Sequence, residues 1–265
     1  MALDYEIIGD DMQFIRFLLK QEESIVAEAG ALLFMDSTIK MDTIFGDGSS
    51  ENSNSSGLMG KLMGAGKRVI TGESLFMTLF TQKSNDEGEL AFGAPYPGKI
   101  IPIDLNKYNG KLICQKDAFL CAEKGTAIGI EFQKKIGVGL FGGEGFIMQK
   151  LEGNGLAFCH AGGTIYERDL APGETLKVDT GCLVALSKDV NYDIEFVGNV
   201  KTAVFGGEGL FFASLTGPGK IWLQSLPFSR LADRLMSSSR KGGNSKGEGS
   251  VLDALGGLGN LFDGD

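Results

Sequence analysis

The chain has 265 residues, a formal net charge of −9 and 43% hydrophobic residues. Nucleic-acid binding draws on clustered lysine and arginine, so an acidic chain of this kind is not expected to bind nucleic acid. Glycine occurs 40 times and proline 6 times, a composition typical of short antiparallel strands joined by glycine-bearing turns. The composition therefore favours an all-β protein.

The first residues do not have the pattern of a secretory signal. Asp4, Glu6, Asp10 and Asp11 interrupt any apolar run, and no basic region precedes one. No stretch approaches the ~18 uninterrupted apolar residues of a membrane-spanning helix. We therefore expect a cytoplasmic protein.

A strand-turn-strand pattern occurs three times, beginning at residues 24, 111 and 175. The turn position holds Gly30, Asp117 and Gly181. These residue types tolerate a positive φ at low steric cost. The pattern therefore predicts three hairpin-like corners of the same kind.

The outer face of this pattern differs between the copies. Lys177 occupies an outward position in the third copy, whereas Val26 and Ile113 occupy it in the first two. Apolar outer faces should be covered by neighbouring modules or by another subunit. A homo-oligomer is therefore one expectation.

A glutamate beside glycine follows each pattern, at Glu73, Glu144 and Glu208. The distance from the turn to the glutamate is 27 residues in the second and third copies and 43 in the first. The 16-residue excess falls in a stretch rich in Gly, Ser and Asn, at about 46–66. The recurrence predicts a fold assembled from three copies of one unit, with an insertion in the first copy.

These spacings suggest boundaries for the parts of the chain. We expect a first β module with its insertion at 4–70, a second at 71–140, a third at 141–204, a closing hairpin and helix at 205–236, and a flexible tail at 237–265. A short helix is predicted over 228–236, because Phe228, Leu231 and Leu235 fall on one face and can pack as a cap. The last hairpin is expected near the first, which would close a pseudo-threefold arrangement.

The motifs together resemble those of the AIM24 family. They are the glycine-rich run before Gly72-Glu73-Ser74, the two GGEG segments at 142–145 and 206–209, and the close at 217–228. The resemblance covers residues 4–235 and implies three repeated β-sandwich modules related in fold to the tryptophan RNA-binding attenuation protein (TRAP). It also implies an unassigned biochemical role in most members. The eukaryotic member is linked to mitochondrial inner-membrane organisation, a location not expected here because the chain has no evident transit peptide.

The three glutamates are weak candidates for a metal site. A pseudo-threefold arrangement could bring Glu73, Glu144 and Glu208 to one axis, where a hard cation would bind carboxylate oxygens. The stronger interpretation is structural, because a glutamate at the entry to a strand commonly accepts backbone N–H bonds at a bend. The sequence indicates no cofactor.

Catalytic motifs are missing from the pattern. His160 is the single histidine, so histidine-based chemistry would depend on one residue. The neighbouring Cys159 should point to the opposite face of a strand. The four cysteines show no CxxC spacing and are expected to be buried thiols; they are Cys114, Cys121, Cys159 and Cys182. We therefore expect a protein that is not an enzyme.

The insertion is the main candidate for a contact surface. It places apolar residues beside cations, and the candidates for contact with a membrane or partner are Leu58, Met59, Lys61, Leu62, Met63, Lys67 and Arg68. The favoured function is a structural or interaction protein that presents this loop and the tail from a rigid β scaffold to a protein partner or a membrane surface. The alternative is a protein that binds a small ligand or a divalent metal in a pocket or along an axis between the repeats.

Overall fold

Short antiparallel strands make up nearly the whole fold. The computed structural model describes residues 3–45, 76–134, 146–196 and 211–241. Its strands are β1 (Asp4–Ile8), β2 (Phe14–Leu19), β3 (Ser24–Glu28), β4 (Leu32–Met35), β5 (Ile39–Phe45), β6 (Phe76–Gln82), β7 (Gly88–Gly93), β8 (Gly98–Asp104), β9 (Lys111–Gln115), β10 (Phe119–Glu123), β11 (Ala127–Lys134), β12 (Phe146–Glu152), β13 (Leu156–Gly162), β14 (Ile165–Leu170), β15 (Thr175–Asp179), β16 (Leu183–Ser187), β17 (Asn191–Phe196), β18 (Phe211–Thr216) and β19 (Gly219–Gln224). The expectation of an all-β protein is confirmed.

The strands form four sheets. The first sheet has the order β1-β2-β7-β4 and the second β5-β6-β3-β10-β13-β8. The third has the order β11-β12-β9-β16-β19-β14 and the fourth β15-β18-β17. The second and third sheets thus follow one plan, in which β3 pairs with β10 and β9 pairs with β16.

A shared irregularity identifies equivalent positions in the three strand-turn-strand stretches, which begin at residues 24, 111 and 175. The register shifts between Leu32 and Phe34 on β4, between Phe119 and Cys121 on β10, and between Leu183 and Ala185 on β16. Because the bulge falls at the same place in each strand, it fixes which residues of β4, β10 and β16 are equivalent. A repeated unit predicts a shared position of this kind. The pseudo-threefold arrangement and the module boundaries stay predictions.

Three apolar clusters lie between successive sheets. One contains Phe17, Phe92 and Phe158 from the first and second sheets. The next contains Val26 with side chains of the second and third sheets, and the last contains Ile113 with those of the third and fourth. The two apolar outward positions are therefore covered, as expected, and the cover comes from within the chain. They supply no surface for a second subunit.

The corners of the three stretches differ from the expectation. Gly30 has a φ of +91°, as predicted. Asp117 and Gly181 lie in 3-10 turns, Lys116–Ala118 and Thr180–Cys182, without a positive φ, so turns form as predicted but the three corners are not of the same kind. In the third corner the Asp179 carboxylate accepts the Gly181 N–H at 2.8 Å, which stabilises the tighter turn.

The C-terminal part departs from two expectations. The helix α1 runs from Phe228 to Lys241, longer than predicted; the Phe228 ring packs against Tyr96, and Leu235 is 63% exposed. The last hairpin pairs with β14, β15, β16 and β17 rather than with β1 or β2, so the structure does not bring the two terminal hairpins into one sheet.

By its contacts the chain divides into Met1–Ser229 and Arg230–Asp265. Among the residues described, no helix has both the length and the apolar character needed to cross a bilayer.

Candidate functional site

A cleft of about 550 Å³ lies within Met1–Ser229, where three connections meet. They are the β3–β4 turn, the β7–β8 connection and the β9–β10 turn. Most of the wall is apolar, and it includes Ala29, Ala31, Leu32, Leu33, Ala94 and Leu120. The volume lies within the range of small-molecule sites in proteins.

Two carboxylates face this mostly apolar space. Glu28 ends β3, and Asp117 lies in the turn before β10. Burial, followed by the charge of Asp117, raises the pKa of Glu28 to about 7, an effect that Lys116 partly offsets. The charged form of Glu28 is therefore costly near neutral pH, and a bound cation would lower that cost.

Two aromatic rings stand beside the carboxylates. The rings of Tyr96 and Phe228 lie 5.3 Å apart between centroids, at an angle of 37°. Burial, followed by the charges of Asp117 and Glu28, raises the pKa of Tyr96 to about 12. The phenol therefore stays protonated, and both aromatic side chains line the cleft.

Two glycines leave the space open. A Cβ atom at Gly30 or Gly93 would meet no atom within 4 Å. Gly93 does not have a positive φ, so its backbone does not require glycine. The absence of a side chain at Gly93 leaves space in the cleft and is not needed for the backbone conformation of the strand.

The equivalent junction between the second and third stretches is built differently. Gln115 stands in the register of Glu28, since Glu28 faces Met77 on β6 and Gln115 faces Met148 on β12. The corner position of Asp117 is taken by Gly181. The buried Gln224 accepts the Gly162 N–H at 2.7 Å and donates to the Gly181 carbonyl at 2.8 Å. An uncharged amide therefore fills the junction between the second and third stretches. The two carboxylates lie at the junction between the first and second stretches, the first junction.

His160 occupies the position of Gln224 in the first junction. Cys159 faces Phe119 as Leu223 faces Leu183, and His160 and Gln224 are the next residues. Gly162 lies two residues after His160, and Gly93 holds the position of His160 in the first stretch. The residue equivalent to Gly162 there is Pro95, which has no N–H to donate. His160 is 1% exposed, and neither ring nitrogen has a partner with hydrogen-bond geometry. Burial lowers the pKa of His160 to about 4, an effect that the Tyr96 backbone partly offsets.

The site residues predicted from the sequence lie outside the described part of the chain. This holds for Glu73, Glu144 and Glu208, and for the insertion candidates from Leu58 to Arg68. Their roles stay predictions. Within the described ranges, no group of three or more His, Cys, Asp or Glu side chains could hold a metal ion.

The cysteines are largely as expected. Cys114, Cys121 and Cys159 are buried and Cys182 is partly buried. Burial raises the pKa of the Cys121 thiol, and a hydrogen bond with Cys159 raises that of Cys114. Buried thiols with raised pKa values are poor nucleophiles.

Sequence reasoning located parts of the cleft without recognising it. Gly30 and Asp117 were identified as corners, but their approach depends on the pairing of β3 with β10. One signal was available: Tyr96 is a single aromatic residue between prolines and glycines in 93–98. A large side chain in such a loop is a candidate for binding.

The fold and the cleft define an all-β sandwich protein with a ligand-sized pocket at the junction of its first two sheets. The chain belongs to the AIM24 family, since the family model described as mitochondrial biogenesis AIM24 matches residues 5–226. It is 31% identical over 233 residues to an uncharacterized protein of Streptococcus pyogenes serotype M6, covering 86% of this chain and 88% of that protein. A crystal structure of a Streptococcus pyogenes protein shares the fold, with a TM-score of 0.70, 23% identity and coverage of 89% of this chain and 100% of that one.

Proposed function

We propose that this protein is a non-enzymatic binding protein whose cleft takes a small organic cation with an apolar flank. The observation that carries the proposal is the pair of carboxylates, Glu28 and Asp117, in a mostly apolar cleft beside two aromatic rings. The sequence alternative of a small-ligand protein finds support here.

The electrostatics favour a cation. Burial makes the charged form of Glu28 costly, and the charge of Asp117 adds to that cost. A cation between them would convert the repulsion into two attractive contacts, each a charge-assisted hydrogen bond. Tyr96 and Phe228 would add cation–π contacts, each worth roughly 0.5–2 kcal/mol.

The apolar wall favours an organic cation over a divalent metal. Calcium takes about 6–8 oxygen ligands, whereas the cleft offers two carboxylates and a mainly aliphatic lining. An alkyl ammonium ion satisfies both parts of the wall. Its chain covers the leucine and alanine side chains, and its head group meets Glu28 and Asp117.

An interaction platform, a cytoplasmic location and a partner are further proposals from the sequence. The interaction platform depends on the insertion and the tail, which lie outside the described residues. A cytoplasmic location and a protein or membrane partner likewise stay predictions. The cleft is compatible with each of them.

The direct test is calorimetric titration with hexylamine at pH 8, with hexanol as the uncharged control ligand. We expect hexylamine to bind, hexanol to bind at least about ten-fold more weakly, and Glu28→Gln to weaken hexylamine by a similar factor. The matched control is Glu167→Gln, because Glu167 is an exposed glutamate paired with Lys220. Equal binding of hexanol, or an unchanged affinity in Glu28→Gln, would contradict the proposal.

A further inference from the structure

The strand β4 has an outer edge that no described strand covers. It pairs with β7 on one side and ends the first sheet. Its equivalents β10 and β16 pair on both sides, with β13 and β3 in one case and with β19 and β9 in the other. Among the described strands, none takes in the first stretch the place that β3 and β9 take in the other two.

The uncovered strand is apolar and exposed. Leu33 and Phe34 are 54% and 41% exposed. The residues with the same numbering, Leu120 and Cys121 on β10, are almost fully buried, as are Val184 and Ala185 on β16. An exposed apolar edge strand is a template for pairing with another strand. In both equivalent strands, β10 and β16, the element that covers this edge is an antiparallel strand.

The register of the covered copies predicts where an added strand would end. Ala27 faces Cys121 and Cys114 faces Ala185. A strand added to β4 in the same way would place one residue opposite Phe34. Its next residues would lie beside Leu33 and Leu32, which line the cleft. The downstream end of such a strand therefore arrives at the cleft that Glu28 and Asp117 also line.

We propose that β4 accepts an extended peptide segment as an added antiparallel strand, and that a lysine or arginine side chain near the downstream end of that segment is the cation that enters the cleft. This inference rests on the proposed function and names its ligand class. Main-chain hydrogen bonds to β4 would give affinity, and the charge of the cleft would select the basic side chain. The peptide needs apolar residues at alternate positions, as in β3 and β9.

One described strand, the equivalent of β3 and β9, has no described partner on the side where those two pair with the next stretch, and it fits this place poorly. It is β15, which pairs with β18 on one side. It carries Lys177 where β3 and β9 carry the buried Val26 and Ile113, and Lys177 forms an ion pair with Glu195. A charged residue at this position opposes strand pairing. A second copy of the chain is therefore the less favoured occupant, and the experiment must exclude it.

The probe is a blocked peptide of alternating threonine and valine with one lysine near its C-terminal end. Three control peptides carry norleucine in place of lysine, the lysine at the other end, or N-methyl groups on alternate backbone amides. We expect the lysine peptide to bind at least about ten-fold more tightly than hexylamine, and each control to lose about that factor. An N-methylated peptide that binds as well as the parent would overturn the proposal.

Variants separate the edge from the cleft. Phe34→Lys should weaken the peptide about ten-fold and leave hexylamine binding unchanged, whereas Glu28→Gln should weaken both. The matched control is Tyr166→Lys, on the outermost strand of the third sheet, where the ring is 56% exposed. Failure of hexylamine to bind would refute the cleft itself, while hexylamine binding without any gain from the peptide would refute the edge alone. Light scattering that shows self-association abolished by Phe34→Lys would assign the edge to a second copy and overturn the peptide proposal.

Discussion

Tyr96 packs edge to face against His160, with ring centroids 4.4 Å apart and ring planes at 73°. The contact joins the wall of the cleft to the one histidine, which has no hydrogen-bond partner at either ring nitrogen. Protonation of His160 would bury a charge behind Tyr96, a cost that the Tyr96 backbone offsets only in part. The first junction is therefore sensitive to pH from within the core as well as at Glu28.

Replacing His160 should reduce the loss of stability in acid. Its pKa is lowered from 6.5 to about 4, so the unfolded chain binds a proton between these values and the folded chain does not. Stability is then lost as the pH falls from about 6.5 toward 4. We expect His160→Gln to shrink the difference in unfolding free energy between pH 7 and pH 4.5 by about 2–3 kcal/mol, measured by urea denaturation. An unchanged difference would show that the imidazole is protonated in the fold.

Replacing Glu28 should have the opposite dependence on pH. Its pKa is raised from 4.5 to about 7, so the folded chain holds the proton more tightly than the unfolded chain. That contribution is full below about 4.5 and is lost as the pH rises through about 7. We expect Glu28→Gln to gain stability relative to the parent between pH 5 and pH 8.5, in the same denaturation assay. Glu6→Gln, at an exposed ion pair with Arg16, is the control and should show no such trend.

The affinity for hexylamine should rise with pH over the same range. Below about pH 7 Glu28 is mostly protonated in the free protein, and a neutral carboxyl attracts an ammonium ion weakly. We expect the affinity to increase several-fold from pH 6 to pH 8. Calorimetric titration at both values measures the change. The dependence should disappear in Glu28→Gln, and its survival there would assign it to another group.

Filling the cleft should remove binding without unfolding the protein. A Cβ atom at Gly93 meets no atom within 4 Å, so Gly93→Leu extends into the space that the ligand would occupy. We expect loss of hexylamine binding with an unfolding free energy within about 0.5 kcal/mol of the parent. Gly93→Ala, which adds one methyl group, is the graded control and should retain binding. Full binding in Gly93→Leu would place the ligand elsewhere.

A neighbouring glycine should respond differently to the same change. A Cβ atom at Gly98 would overlap the carbonyl oxygen of Ala161 and approach His160 Nε2 to 2.8 Å. The paired strands would have to separate, so we expect Gly98→Ala to destabilise the fold by at least about 2 kcal/mol. Thermal and urea denaturation of Gly98→Ala beside Gly93→Ala make the comparison. Equal stability of the two variants would mean that β8 and β13 are more loosely packed than the structure shows.

Much of the local structure was predictable from residue patterns. Alternation placed the strands, and the recurrence of Val26, Ile113 and Lys177 at one position indicated which outer faces are covered. The corner at Gly30 followed from its residue type. The corners at Asp117 and Gly181 did not, because a 3-10 turn and a left-handed corner accept overlapping residue types.

The amino-acid sequence by itself determined the strand-rich character of this protein, the spacing of its three similar stretches and its membership of a family, because periodicity and turn chemistry act over a few neighbouring residues. The tertiary structure alone decided that Glu28, Tyr96 and Asp117 surround one cleft, since the pairing of β3 with β10 joins segments about 90 residues apart. It also decided that no described strand pairs with the outer edge of β4, whereas both edges of β10 and of β16 are paired. Neither feature is encoded in a local pattern, because each depends on which edges remain once every sheet has formed.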